Sequence, residues 1–298
     1  MPSSVTSAAE RRWLPHEVVF GGFLALTWLR LAVTTGVLAA PTLAYAAFLA
    51  GAAGVIGFCR AAPGEWRWRV RLAYYPALMC IVFVHLKTVV PLIHPGSADG
   101  LLQEWDRALF GGNLSLRLEP FMSPALTELA SLCYCLFFVY LSASLLRYLR
   151  APLPQAQAFC AGLFTLYGIG FLGYTLLPAL GPYAAMADTF TKPVSGYLIT
   201  DLLTSVYPLG TNDADVFPSL HCAVSAYFLG FDASQSARRF RWWLLPVFGL
   251  WASTIYLRFH YAVDVAAGLA LAIPSLLIAL RFQHQTREKL YALRSAAL

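Results

Sequence analysis

Charged residues are scarce in this chain. Asp, Glu, Lys and Arg make up 12% of its 298 residues, whereas apolar residues make up 59% and the mean hydropathy is +0.62. A soluble globular domain has about a quarter of its residues charged, and a soluble chain of this size could not bury so much apolar surface. The composition therefore excludes a soluble enzyme, a nucleic-acid-binding module and a disordered chain. It predicts an integral membrane protein.

Several familiar site patterns are also missing. The six cysteines include no Cys-x-x-Cys pair and lie in or beside apolar runs, so we interpret them as small core residues. The chain has no His-Glu-x-x-His motif, which disfavours a zinc metalloprotease. It has no Gly-x-Ser-x-Gly turn either, which disfavours a serine hydrolase.

Apolar residues are concentrated in eight segments that are long enough, or nearly so, to cross a bilayer as helices. These segments lie at about 17–34, 37–59, 72–94, 122–146, 156–180, 219–235, 243–259 and 261–281. No repeat, low-complexity stretch or linker divides the chain. The sequence therefore predicts an all-α polytopic membrane protein of about eight transmembrane helices. We expect a single domain over 1–298, with two N-terminal spans in 1–71 and a six-helix core in 72–285.

The charge of the connecting loops alternates along the chain. Basic residues follow the second, fourth, sixth and eighth segments, while the loops at 95–121 and 181–218 are mainly acidic. Loops rich in Lys and Arg remain in the cytoplasm, so we expect both termini on the cytoplasmic side. We interpret the net charge of +6 as this orientation signal and expect no nucleic-acid partner. Residues 101–110 alternate apolar and charged positions near the helical period, which predicts a short helix at the outer interface.

Two short polar stretches lie at the outer ends of predicted spans. Phe217–His221 enters the sixth span, and Arg258–Asp264 joins the seventh span to the eighth. Ionisable groups at such depth are costly unless they are paired or solvated, so they are functional candidates. His260 and Asp264 are four residues apart and on a helix would share one face within hydrogen-bonding reach.

These residue types suit two-step phosphoryl transfer. A carboxylate behind an imidazole fixes its tautomer and leaves the other ring nitrogen free to attack phosphorus. A second histidine, His221, can protonate the leaving oxygen and then activate the acceptor. Arg258 can hold phosphate oxygens, and Ser219 with nearby backbone N–H groups offers an anion site. The simpler alternatives are a structural histidine–aspartate pair, an arginine that extends to the lipid head groups and a serine that caps the sixth helix.

The order of these motifs resembles a known family. Pro218-Ser219-Leu220-His221 followed by His260 and Asp264 resembles the second and third signature motifs of the type 2 phosphatidic-acid phosphatase superfamily. More of the chain, roughly residues 80–285, resembles the branch of this superfamily that contains the inositol-phosphorylceramide synthases. The stretches that carry this second resemblance are Asp106–Gly111, Leu177–Pro182, Val216–His221 and Tyr256–Tyr261.

The resemblance implies a fold and a mechanism. It implies a six-helix phosphatidic-acid-phosphatase-like core in which His260 is the nucleophile, Asp264 orients it and His221 is the general acid and base. It implies a phospholipid donor, a lipid or water acceptor, and no metal or other cofactor. The superfamily's first motif, a lysine followed by Arg-Pro, is absent from the chain, so Lys87 at the outer end of the third span is the candidate replacement.

The sequence thus predicts a membrane lipid phosphotransferase in which a phospho-head group passes to a lipid hydroxyl. The alternative is a phosphatase that hydrolyses phosphatidic acid, polyprenyl pyrophosphate or a similar lipid. A transporter and a metalloprotease are more distant alternatives, because the polar groups cluster at one face and metal-ligand spacing is missing. We expect a bacterial inner-membrane protein whose active site faces the periplasm or a lumen.

Overall fold

The computed structural model describes residues 13–62 and 64–295. These residues form twelve α-helices, two 3-10 helices at Glu119–Phe121 and Ala187–Thr189, and no strand, which confirms the all-α prediction. The α-helices in chain order are α1 Pro15–Thr35, α2 Ala40–Ala61, α3 Glu65–Ile93, α4 Asp99–Phe110, α5 Leu114–Leu118, α6 Pro124–Leu149, α7 Leu153–Leu176, α8 Pro182–Ala185, α9 Leu198–Gly210, α10 Leu220–Gln235, α11 Ala237–Tyr256 and α12 Ala262–Ser295.

Six helices in the described part of the chain are long and apolar enough to cross a membrane. They are α1, α2, α3, α6, α7 and the Ala262–Thr286 part of α12. All eight predicted segments form helices. Two of these helices are not among the six, since α10 has only 16 residues and α11 carries Arg238, Arg239 and Arg241 near its start. The polytopic membrane fold is thus confirmed, while the number of eight spans stays a prediction.

Two helices lie in the acidic loops. The helix predicted at 101–110 is confirmed as α4, which ends at Gly111 with a φ of 73°, a left-handed conformation that glycine adopts without steric cost. Helix α9 was not expected within the loop at 181–218. Its apolar residues Leu198, Leu202 and Val206 recur at the helical spacing of four, which is the signal that could have predicted it.

The chain forms two compact units. The first takes the described residues of 1–83, 145–169 and 274–298, and the second takes 84–144 and 170–273. The predicted division into 1–71 and 72–285 within a single domain stays a prediction.

A buried ion pair joins α1 to α3 in the first unit. The Glu17 carboxylate accepts hydrogen bonds from Nε and Nη2 of Arg71 at 2.5 and 2.6 Å, and neither side chain has exposed surface. Glu17 also accepts the backbone N–H of Leu14 at 2.8 Å, which closes the first turn of α1. Removing one partner of such a pair leaves a buried charge, at a cost of about 3–5 kcal/mol.

A small buried cluster in the second unit packs α4 against the polar stretches found in the sequence. Its buried members are Leu102, Ala179, Val216, Tyr261 and Val263. Because Val216 precedes His221 and Tyr261 follows His260, this packing fixes the two segments that carry the histidines. The candidate site therefore lies wholly within the second unit.

Candidate active site

The turn between α11 and α12 holds His260. The carbonyl of Thr254 accepts the backbone N–H groups of Phe259 and His260, each at 3.0 Å, which fixes this turn. The Asp264 carboxylate accepts the backbone N–H of Tyr261 at 2.9 Å and so closes the first turn of α12 as in a capping box. His260 consequently lies just before α12, in the junction between the seventh and eighth predicted segments, rather than on a helical face.

The predicted contact between His260 and Asp264 nevertheless forms. Nδ1 of His260 lies 3.0 Å from Oδ2 of Asp264, and both side chains are buried. An ionised carboxylate only accepts hydrogen bonds, so this contact uses the hydrogen on Nδ1 of His260, and Nε2 is the nitrogen on the side of His221. A nucleophilic histidine attacks through the ring nitrogen that the carboxylate does not hold.

The start of α10 holds His221. Ser219 is fully buried and caps this helix, with its hydroxyl oxygen accepting the N–H of Cys222 at 3.4 Å. The backbone N–H of Ser219 donates to the carbonyl of Asp264 at 3.0 Å, which ties the two motifs together. The approach depends on Gly268, because a Cβ at that position would lie 2.3 Å from the Ser219 carbonyl oxygen. The hydrogen bond from Cys222 shows that Ser219 caps α10, as the simpler interpretation of this serine predicted.

A chain of hydrogen bonds links both histidines to a tyrosine on α6. Nδ1 of His221 lies 3.2 Å from Nε2 of His260, and Nε2 of His221 lies 3.0 Å from the hydroxyl of Tyr134. Together with Asp264, these groups form a continuous line of four side chains along which a hydrogen bond can be made at every step. The structure thus brings together the three residues that the sequence singled out as catalytic.

Aromatic rings enclose His221. The ring centroids of Tyr134 and Phe137 lie 4.9 and 4.8 Å from that of His221. Phe259 packs on Tyr134 at 4.8 Å, and His260 itself is 2% exposed. Polar interactions are stronger in such water-poor surroundings than in bulk water.

Two aspartates of α4 hold the backbone around His260. The carboxylate of Asp106 accepts the N–H groups of Ala262 and Val263 at 3.2 and 2.9 Å, which caps the start of α12. Burial raises the pKa of Asp106, and these two backbone donors oppose that rise. Asp99 accepts the hydroxyl hydrogen of Tyr261 at 2.8 Å. The short interfacial helix is therefore part of the scaffold of the site.

A glycine allows a loop to approach the histidine turn. Asp99 accepts the backbone N–H groups of Leu180 and Gly181 at 2.8 and 2.9 Å. Gly181 has a φ of 82°, and a Cβ there would lie 2.5 Å from the carbonyl oxygen of Phe259. A residue with a side chain would therefore push the loop away from the turn that holds His260.

The guanidinium of Arg258 points to a different set of partners. Its Nη2 donates to the carbonyl of Lys192 at 2.7 Å and lies 3.3 Å from Oε1 of Glu119. The guanidinium carbon, Cζ, lies 3.8 Å from the ring centroid of Phe190. The residue adopts a φ of 68°, unusual for an arginine, and these contacts do not include either histidine. The phosphate-binding role of Arg258 stays a prediction.

Lys87 contacts the loop that precedes α10. Its Nζ lies 3.2 Å from Oδ2 of Asp213 and 3.4 Å from the carbonyl oxygen of Thr211, and its side chain is about half exposed. The same segment carries Asp215, whose carboxylate accepts the Thr211 hydroxyl at 2.6 Å. Burial raises the pKa of Asp215, and the hydrogen bond from the Thr211 hydroxyl opposes that rise.

Sequence reasoning missed three functional candidates. Tyr134 and Phe137 lie within an apolar helix where aromatic residues are ordinary, so no pattern distinguishes them. Asp215 could have been noticed as an acidic residue six positions before His221. Among the described residues, no group of three or more His, Cys, Asp or Glu side chains has the arrangement of a metal site.

Comparison with known proteins identifies the family. The sequence profile of the PAP2 superfamily matches residues 101–278, which is more than half of the chain and includes every residue of the four-membered hydrogen-bonded line. No curated protein and no solved structure matches the chain. Members of the matched superfamily are generally phosphatases or phosphotransferases, which supports an enzyme. The chain is an integral membrane protein that belongs to the PAP2 superfamily.

Proposed function

We propose that this protein is a membrane lipid phosphotransferase that works through a phosphohistidine on His260. The observation that carries the proposal is the line of hydrogen bonds from Asp264 through His260 to His221. In the proposed resting state Nε2 of His260 has a lone pair with which it can attack phosphorus. The imidazole of His221 lies within reach of the same phosphate group. The alternative structural role, a pair that seals a helix junction, would not require the second histidine.

In the first half of the reaction the phosphate group enters between the two imidazoles and replaces their direct contact. Nε2 of His260 attacks phosphorus, and the bond from phosphorus to the lipid oxygen breaks. His221, as imidazolium, gives the Nδ1 proton to the departing oxygen and becomes neutral. Asp264 stabilises the positive charge that develops on His260.

In the second half the acceptor hydroxyl replaces the departed alcohol. Neutral His221 takes the hydroxyl proton as the acceptor oxygen attacks phosphorus, and the bond from phosphorus to Nε2 of His260 breaks. Both histidines then return to their starting protonation states. Tyr134, by bonding Nε2 of His221, keeps Nδ1 directed at the reacting oxygen in both halves.

The acceptor decides between transfer and hydrolysis. A lipid hydroxyl gives a phosphotransferase resembling the inositol-phosphorylceramide synthases, with phosphatidylinositol as donor and ceramide as acceptor by that resemblance. Water gives a lipid phosphate phosphatase. The burial of His260 and the rings of Tyr134 and Phe137 around His221 favour a lipid hydroxyl, because they restrict water at the reacting atoms.

Phosphate binding belongs to the same proposal. Ser219 and the backbone at the start of α10 lie beside His221, and Arg258 and Lys87 supply cations in the same unit. To bind the substrate phosphate, the guanidinium group of Arg258 would have to release the carboxylate of Glu119. The alternation of loop charge further supports an active site on the periplasmic or lumenal face, with cytoplasmic termini in a bacterial inner membrane.

A turnover assay on purified protein in detergent tests the proposal. Phosphatidylinositol labelled in its head group would be supplied with and without ceramide, and diacylglycerol, free inositol phosphate and labelled ceramide would be followed. Label that moves to ceramide establishes a transferase, whereas water-soluble label regardless of ceramide establishes a hydrolase. If label leaves phosphatidylinositol equally well in His260→Ala, the phosphohistidine mechanism is wrong.

A further inference from the structure

A cavity lies at the other end of α11 from the histidine turn. It has a volume of about 450 Å³ and is lined by Leu136, Arg238, Arg239, Trp242, Trp243 and Pro246. From Trp242 to the end of α11 at Tyr256 there are 14 residues, or about 21 Å along the helix axis at 1.5 Å per residue. The cavity is therefore separate from the proposed phosphotransfer site, although all its lining residues belong to the same unit.

A rigid polar base holds one side of this cavity. Nε of Arg239 lies 3.0 and 3.1 Å from the two carboxylate oxygens of Asp232, and its Nη2 donates to the hydroxyl of Ser144 at 3.0 Å. The Tyr140 hydroxyl donates to Asp232 at 2.8 Å, and the Tyr140 ring stacks on Trp243 at 4.1 Å. These contacts fix both Arg239 and Trp243 before any ligand arrives.

The rim of the cavity has excess positive charge. Arg238 and Arg241 are exposed, and within the described part of the chain neither has an ion-pair partner. The carboxylate of Asp232, which forms the ion pair with Arg239, is buried. Arg238 lines the cavity, whereas Arg241 lies three residues further along α11. An anion placed at this rim would therefore meet the guanidinium group of Arg238, which can make charge-assisted hydrogen bonds, and the charge of Arg241 would add to the attraction.

The walls of the same cavity are mainly apolar. They include Leu136, Trp242, Trp243 and Pro246, and Trp242 is 72% exposed. Tryptophan and arginine are typical of the zone between head groups and acyl chains. A ligand that fits both the basic rim and the apolar walls of the cavity has a negative head group and a hydrocarbon tail.

We propose that this cavity binds an anionic phospholipid of the leaflet opposite the histidine site. The lipid phosphate contacts Arg238 at the rim, where the nearby charge of Arg241 strengthens the attraction, and an acyl chain packs along Trp242, Trp243 and Leu136. The loop charges predict this end of α11 to be cytoplasmic, where anionic lipids attract basic segments. The site does not depend on the reaction proposed for His260.

Native mass spectrometry of the full-length protein in detergent tests the site with dioleoylphosphatidylglycerol and, separately, dioleoylphosphatidylcholine. We expect a bound phosphatidylglycerol whose dissociation constant rises by at least about tenfold in Arg238→Gln/Arg241→Gln. The matched control, Arg147→Gln/Arg150→Gln, removes the same charge from another basic loop and should change the constant less than about twofold. Trp242→Leu should weaken the same complex, and free glycerol 3-phosphate should not displace the lipid.

Three results would overturn the assignment. Equal weakening in both arginine pairs would mean general attraction to the basic loops. Equal affinity for phosphatidylcholine, which has no net charge, would mean that binding does not depend on the charge of the lipid. Displacement by glycerol 3-phosphate would mean a phosphate site without a lipid tail. A thermal unfolding curve for each variant shows whether the protein is folded, and Trp242→Leu provides an independent probe if the arginine pair is unstable.

Discussion

Nε2 of His260 and Nδ1 of His221 lie 3.2 Å apart, so the nitrogen proposed to attack phosphorus is already hydrogen-bonded to the proposed acid and base. This contact occupies the lone pair of the nucleophile in the absence of substrate. Phosphate must separate the two rings, and the same movement leaves one imidazole on each side of phosphorus.

Asp264→Asn should lower kcat by about 10²–10⁴-fold with little change in KM. The amide keeps the size of the side chain, but it can donate to Nδ1 of His260 and so favour the wrong tautomer. Steady-state kinetics on the purified variant measure the effect. Asp188→Asn, at an exposed position, is the control and should retain wild-type rates; an Asp264→Asn enzyme with a wild-type kcat would contradict the orienting role.

Tyr134→Phe should lower kcat by about tenfold and shift the pH profile of kcat, because the 3.0 Å bond to Nε2 of His221 is lost while the ring packing remains. Rates measured across a range of pH distinguish this from a packing defect, which would lower the rate equally at every pH. Tyr197→Phe is the control, since that side chain is 57% exposed. An unchanged pH profile for Tyr134→Phe would remove Tyr134 from the mechanism.

The line of four side chains could be predicted only in part from the sequence. The spacing of His260 and Asp264 and the Pro-Ser-Leu-His motif at His221 predict three of its members, because ionisable residues stand out in apolar segments. Tyr134 could not be predicted, since a tyrosine in a long apolar helix has no distinguishing neighbour. Its role depends on how α6 packs against α10, which local sequence does not specify.

The fold could also be predicted only in part from the sequence. Long apolar runs predict the helices because membrane segments must satisfy their own backbone hydrogen bonds. The direction of the Arg258 side chain was not predictable. It depends on a positive φ and on partners at Glu119 and Lys192, more than sixty residues away in sequence.

Arg258→Ala should raise KM by about tenfold and leave kcat within a few-fold of wild type if the guanidinium binds substrate phosphate. Arg258→Lys should recover part of the loss, because it restores the charge without the planar fork. Kinetics and a thermal melt on each variant separate two roles. A lower melting temperature with an unchanged KM would mean that Arg258 only braces the segment at Phe190 and Lys192.

Glu119→Gln should reduce the loss of thermal stability that occurs as the pH falls. The backbone N–H of Lys192, with further help from Thr191 and Arg258, holds the pKa of Glu119 below its ordinary value. A lowered pKa in the folded state contributes stability above the ordinary carboxyl pKa, and this contribution disappears as the pH falls through the folded pKa.

Melting temperatures in detergent between pH 7 and pH 3 measure this dependence. Wild type should lose more stability than Glu119→Gln over that range, while Glu119→Gln should be the less stable protein at pH 7. Glu104→Gln, which changes an acidic residue of α4, is the control. Parallel curves for wild type and Glu119→Gln would show that the carboxylate does not stabilise the loop.

Trapping of the covalent intermediate tests the central claim most directly. Purified protein would be mixed with phosphatidylinositol labelled in the head group, quenched within one turnover, digested and analysed by mass spectrometry under alkaline conditions that preserve phosphohistidine. We expect the label on His260 in wild type and in the control His284→Ala, whose altered side chain is exposed, and no label in His260→Ala. Label on another residue, or turnover that persists in His260→Ala, would contradict the account.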